Sequence, residues 1–155
     1  MKKALTRKEL SSEIKKLQKA GKKVVFTNGC FDLLHIGHTS LFEKARSLGD
    51  VLIVAINSDK SLKGLKGPKR PLVGEKDRAK LLLALKAVDY VVVFGEQTPY
   101  ELLKELKPDI LVKGSDYKPE EIAGYDIVIS NGGTVETVDL VQGYSTTNIL
   151  QKLIK

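Results

Sequence analysis

The fold is decided by the stretch Lys23-Val24-Val25-Phe26-Thr27-Asn28-Gly29-Cys30-Phe31-Asp32-Leu33-Leu34-His35-Ile36-Gly37-His38. Its first five residues read as a buried strand. From residue 36 to 48 the spacing of Leu41, Phe42, Ala45 and Leu48 is helical. Between strand and helix lies a loop with Gly29, Gly37 and two histidines. The free N–H groups and positive dipole end of a helix start attract anions, phosphate above all. Glycines let backbone approach a ligand closely, and His35 and His38, three apart, can turn their ring nitrogens to one side.

The same alternation extends both ways. Residues 6–20 read as a helix, with Thr6 and Glu9 spaced as a capping box and Leu10, Ile14 and Leu17 on one face, ended by Gly21. After the deciding stretch come a strand at Val51 to Ile56, a helix near 75–87, a strand at Tyr90 to Phe94 and a helix near 98–106. Further strands are expected at Ile110 to Val112, Asp126 to Ile129 and Thr134 to Val138, then a closing helix at Thr146 to Ile154. Continuous Val/Ile/Leu strands separated by helices predict a doubly wound, Rossmann-like α/β domain, a parallel sheet flanked by helices. Residues 1–155 form one domain in this reading, with 1–21 a helical extension and 22–155 the catalytic core. Ligands of such sheets lie beyond the carboxyl ends of the strands, which directs attention to residues 28–38, 57–74, 113–118 and 139–147.

A His-x-Gly-His pair alone is equally well a packed pair of core histidines. Its setting, a strand, a glycine, Phe31-Asp32 and a helix start, resembles the signature of the cytidylyltransferase-like nucleotidyltransferase superfamily. Asn57-Ser58-Asp59, Leu65-Lys66-Gly67-Pro68, Arg70-Pro71, Asp77-Arg78, Val112-Lys113-Gly114-Ser115-Asp116-Tyr117 and Gly143-Tyr144-Ser145-Thr146-Thr147-Asn148-Ile149 follow in that order. The set resembles the heptose 1-phosphate adenylyltransferase domain of ADP-heptose synthase, which is often fused to a sugar kinase. Cytidylyltransferases carry an arginine ahead of the Gly-x-Ser-Thr-Thr segment, where this chain has Val138-Asp139-Leu140-Val141-Gln142. That departure favours the ATP-using branch, again by resemblance.

The resemblance implies adenylyl transfer from ATP, carried with Mg²⁺, to a sugar 1-phosphate. His38, His35 and Lys66 are then the catalytic candidates. Asn28, Gly29, Cys30, Phe31, Gly37, Lys113, Gly114, Asp116, Ser145 and Thr146 are expected at the nucleotide, and Asp32, Lys66 and Arg78 at the acceptor. No protein-held metal is expected. Several of these residues have plainer uses. Ser145 is a natural helix N-cap, Asp32 can fix its own loop, and Arg78 can pair with a neighbouring carboxylate. Residues 60–71 read as a basic surface loop, from which Lys66 is chosen over Lys63 and Arg70 by its place after the second long strand. Cys30 reads as structural, with no base partner assigned to it.

Composition narrows the field. The formal charge of +7 favours anionic partners without naming them. Its lysines are scattered and lack an aromatic stacking array, which argues against nucleic acid. No apolar run approaches the roughly 18 residues of a membrane span, and one cysteine allows no internal disulfide, so a cytoplasmic enzyme without membrane contact is expected. The resemblance also suggests a homodimer. A CTP-dependent transferase acting on an alcohol phosphate such as glycerol 3-phosphate is the nearest rival reading.

Overall fold

The computed structural model describes residues 2–154. The chain runs β1 (Lys3–Ala4), α1 (Arg7–Lys19), β2 (Val24–Gly29), α2 (Ile36–Ser47), β3 (Val51–Asn57), α3 (Asp59–Lys66), α4 (Glu75–Leu83), β4 (Tyr90–Phe94), α5 (Tyr100–Leu106), β5 (Ile110–Gly114), α6 (Tyr125–Ser130), β6 (Thr134–Val138) and α7 (Thr146–Leu153). A single 3₁₀ turn, Pro119–Glu121, precedes α6.

All strands pair in parallel, in the order β1-β4-β3-β2-β5-β6. The chain winds outward from β2 through β3 to β4, then returns to the other side of β2 for β5 and β6. The turning point therefore falls between β2 and β5, and the loops leaving Gly29 and Gly114 face each other across it. A crevice at that point is where ligands of doubly wound sheets bind. Every residue of β3 is buried, as a strand covered on both faces must be. One apolar layer packs α1, α5 and α6 on the sheet, and the other packs α2 and α4.

Three expectations need correction. Asp126 to Ile129 is not a strand, because α6 occupies it. β5 and β6 pair directly and in parallel, Ile110 opposite Thr134, so the segment between them has to cross over a face as a helix does. Ile127 and Val128 are the residues it buries. The basic loop at 60–71 is helical over most of its length: Ser58 caps α3 by accepting from the Ser61 N–H, Leu62 is fully buried, and Gly67 with φ of 102° ends it. The helical extension at 1–21 is part of the core. Thr6 forms the expected capping box, Leu10 and Ile14 are fully buried, and Lys3–Ala4 adds an edge strand on β4.

Candidate active site

The loop after β2 puts the two histidines together. His35 is the N-cap of α2, its Nδ1 accepting from the Gly37 N–H at 3.1 Å. In a neutral ring that leaves Nε2 as the protonated nitrogen. The His35 and His38 rings stack with centroids 3.8 Å apart. The close packing explains Gly37, since a Cβ there would meet the His35 ring at 2.8 Å. Gly29 is tight for a like reason, a Cβ meeting the Phe31 ring at 2.8 Å. Both glycines thus make room for neighbouring rings. Phe31 itself has φ of 48°, a left-handed conformation costly for a bulky residue, and its ring meets His38 edge-on at 5.1 Å.

His35 Nε2 and His38 Nδ1 are buried with no hydrogen-bond partner among the described residues. A buried polar atom left so costs about 1–3 kcal/mol, which points to a ligand that supplies the partner. Burial lowers the pKa of both rings. For His38, burial and the nearby His35 together outweigh the Leu33 backbone and bring it to about 4. Near neutral pH the pair is uncharged.

Two residues expected at the acceptor also hold the loops of the site together. Asp32 is buried, and its carboxylate accepts from the N–H groups of Leu72 and Val73 and from Arg70 Nε at 2.6 Å. Burial pushes this carboxyl up, but those N–H groups and the Arg70 guanidinium prevail and hold it below its usual range. Arg78, 1% exposed, donates to the Val73 carbonyl, the Cys30 carbonyl and Asp59 Oδ1. Both side chains are committed to joining the loop after β2 to the segment between α3 and α4. Arg78 lies outside the cleft wall, while Asp32 still lines the cleft.

A cleft of about 560 Å³ opens at the turning point. It gathers Asn28, Gly29, Cys30, Phe31, the edge of Asp32, His38, Lys66, Lys113, Ser145 and Thr146. His35, Gly37, Gly114, Asp116 and Arg78 do not line it. Lys66 reaches the cleft from the last turn of α3. Lys113 donates to the Asn28 carbonyl at 2.9 Å, and burial lowers its pKa. Ser145 caps α7, accepting from the Asn148 N–H, so its hydroxyl hydrogen stays available. Thr146 Oγ1 reaches the Leu33 carbonyl at 3.4 Å, joining the α7 start to the histidine loop. Leu140 lies over Gly114, where a Cβ would meet it at 2.6 Å.

The cleft also contains Asn57, Gln97 and Tyr117, which were not among the expected site residues. Asn57 ends β3 and Gln97 follows β4, so the rule that directs attention to carboxyl strand ends applies to both. The loop after β4, Gly95 to Pro99, lies outside the segments to which the sequence directs attention. Among the described residues no group of three or more His, Cys, Asp or Glu is arranged to hold a metal, and no helix is long and apolar enough to cross a membrane.

Residues 26–152 match the cytidylyltransferase-like family. The chain is 55% identical over 148 residues to the bifunctional protein HldE of Syntrophotalea carbinolica, covering 96% of this chain and 30% of that one. With the protein of the same name from Geobacter metallireducens it is 57% identical over 135 residues, covering 87% of this chain and 28% of the relative. The chain thus spans under a third of the curated relatives it matches. Among solved structures, the lipopolysaccharide core biosynthesis protein of Thermoplasma volcanium superposes with a TM-score of 0.63 at 29% identity, covering 81% of this chain and all of that one.

Proposed function

Because this chain belongs to the cytidylyltransferase-like family, we propose that it transfers the adenylyl group of ATP to D-glycero-β-D-manno-heptose 1-phosphate, giving ADP-heptose and pyrophosphate for lipopolysaccharide core synthesis. The observation that carries the reading is the pair of buried, unpartnered ring nitrogens on His35 and His38, stacked where α2 begins. Ser145, Thr146, Lys66 and Lys113 line the cleft beside them. The relatives this chain matches are bifunctional by name, and the chain aligns with under a third of their length.

In this reaction an oxygen of the sugar phosphate attacks the α phosphorus, a new P–O bond forms, and the bond to the bridging oxygen breaks as pyrophosphate leaves. The nucleophile is already anionic near pH 7, because the second pKa of a phosphate monoester is about 6. No base is required. What the site must supply is position and positive potential for charge building on the transferred and leaving groups. His38 donates to the α phosphate and His35 to the β phosphate side. The Lys66 ammonium draws in the acceptor phosphate, and Ser145 and Thr146 hold the departing pyrophosphate at the start of α7. Mg²⁺, carried with ATP, would screen the nucleotide phosphates and would need few protein ligands. The protein acts in the cytoplasm, as a homodimer.

Pyrophosphate release with Mg²⁺ tests this, with ATP and CTP each offered heptose 1-phosphate and glycerol 3-phosphate. Release is expected with ATP and heptose 1-phosphate alone. Release with CTP and glycerol 3-phosphate would overturn the assignment in favour of the cytidylyl branch.

A further inference from the structure

The cleft does not end at Lys113. Beside it, on the face of the sheet that carries α5, a smaller chamber of about 230 Å³ shares Asn28, Gln97, Lys113 and Tyr117 with the cleft and is walled further by Thr98 and Glu121. Whole small-molecule sites run to roughly 300–1,000 Å³, so this chamber fits one end of a ligand whose remainder lies in the cleft.

The line of the reaction decides which end. In phosphoryl transfer the attacking and leaving oxygens stand roughly in line across the phosphorus. The pyrophosphate position, at Ser145 and Thr146, follows β6, and Gln97 follows β4. These two strands lie on opposite sides of β2, each beyond one intervening strand. A group entering opposite the pyrophosphate therefore comes from the Gln97 side, which is the acceptor's side. The chemistry of the walls agrees. Glu121 would repel a phosphate but accepts from hydroxyls, the Gln97 amide both donates and accepts, and Thr98 adds a hydroxyl. The half-exposed Tyr117 ring offers a flat surface to the C–H face of a sugar.

We propose that this chamber holds the uncharged polyol body of the acceptor, with Gln97 and Glu121 reading its hydroxyls, and so determines which sugar 1-phosphate is used. The inference rests on the sugar phosphate reading above. Neither residue has been given a part in the phosphate chemistry, and both are exposed, so substitution there leaves the fold intact.

The test is steady-state kinetics of the Gln97→Ala and Glu121→Gln variants, varying heptose 1-phosphate at saturating MgATP and then the reverse. Each variant should raise the acceptor KM about tenfold, the worth of one lost hydrogen bond, and leave the ATP KM unchanged. Preference for the heptose over a hexose 1-phosphate should narrow alongside. An ATP KM that rises in parallel would overturn the inference by giving the chamber to the nucleoside, and so would an acceptor KM that does not move. Failure of the underlying reading looks different: wild-type protein then releases no pyrophosphate with any sugar 1-phosphate, and the chamber assignment falls with it.

Discussion

His38 combines burial, an unpartnered nitrogen and contact with a strained Phe31, an arrangement that costs folding energy unless a ligand repays it. Its removal should lower kcat about 10²–10³-fold, the usual loss for one donor to a transition-state oxyanion. His38→Ala should keep its circular dichroism spectrum, and near-normal turnover would end the assignment. The low pKa has a second consequence. Between the folded value of about 4 and the ordinary 6.5, the unfolded chain binds a proton that the folded site refuses. Stability from this group is thus full above the ordinary value and is lost as pH falls toward the folded one. The Tm of the unliganded wild type should drop more than that of His38→Ala on going from about pH 7 to about pH 5. Equal drops would contradict the burial.

At the scale of elements, the site is a set of loops held in register by Asp32 and Arg78. Arg78 is the tighter joint, with donors placed on the loop after β2, on Val73 and on the first residue of α3. Arg78→Ala leaves two carbonyls and the Asp59 carboxylate without their donor and opens a void. A loss of about 3–5 kcal/mol is expected, read as a fall in the denaturant midpoint at constant m. Arg78→Lys should recover little of it, since one ammonium cannot reach three diverging acceptors. A loss below 1 kcal/mol would show that the joint is dispensable. The sequence allows Asp32 to fix its loop and Arg78 to pair with a carboxylate, but it does not say which segments they join. Asp32 and Leu72 are forty positions apart, and only the fold makes them neighbours.

For the whole molecule, the N-terminal segment is part of the packed fold. Leu10 and Ile14 are fully buried against the sheet, and Arg7 pairs with Glu96, next to Gln97 in the cleft wall. Deleting residues 1–21 exposes the apolar layer they cover. Two such side chains contribute about 3–6 kcal/mol, comparable with the whole stability of a small domain. The truncated chain should lose cooperative thermal unfolding, and a sharp transition within a few degrees of the full chain would refute the burial argument.

The sequence by itself determined the parallel α/β architecture, five of the six strands, the capping box at Thr6 and the histidine loop at the start of α2. These are local properties, set by apolar periodicity, turn residues and capping within one or two elements. Short segments escaped it. A three-residue apolar run at 127–129 has no period long enough to tell strand from helix, and the two-residue β1 has no pattern at all. Only the tertiary structure decided that α6 is a crossover, that Asp32 and Arg78 are joints, and that Gln97 and Glu121 share a chamber. Each of these depends on residues far apart in the chain being brought within hydrogen-bond reach, and that distance is fixed by sheet order and helix packing, which local sequence does not encode.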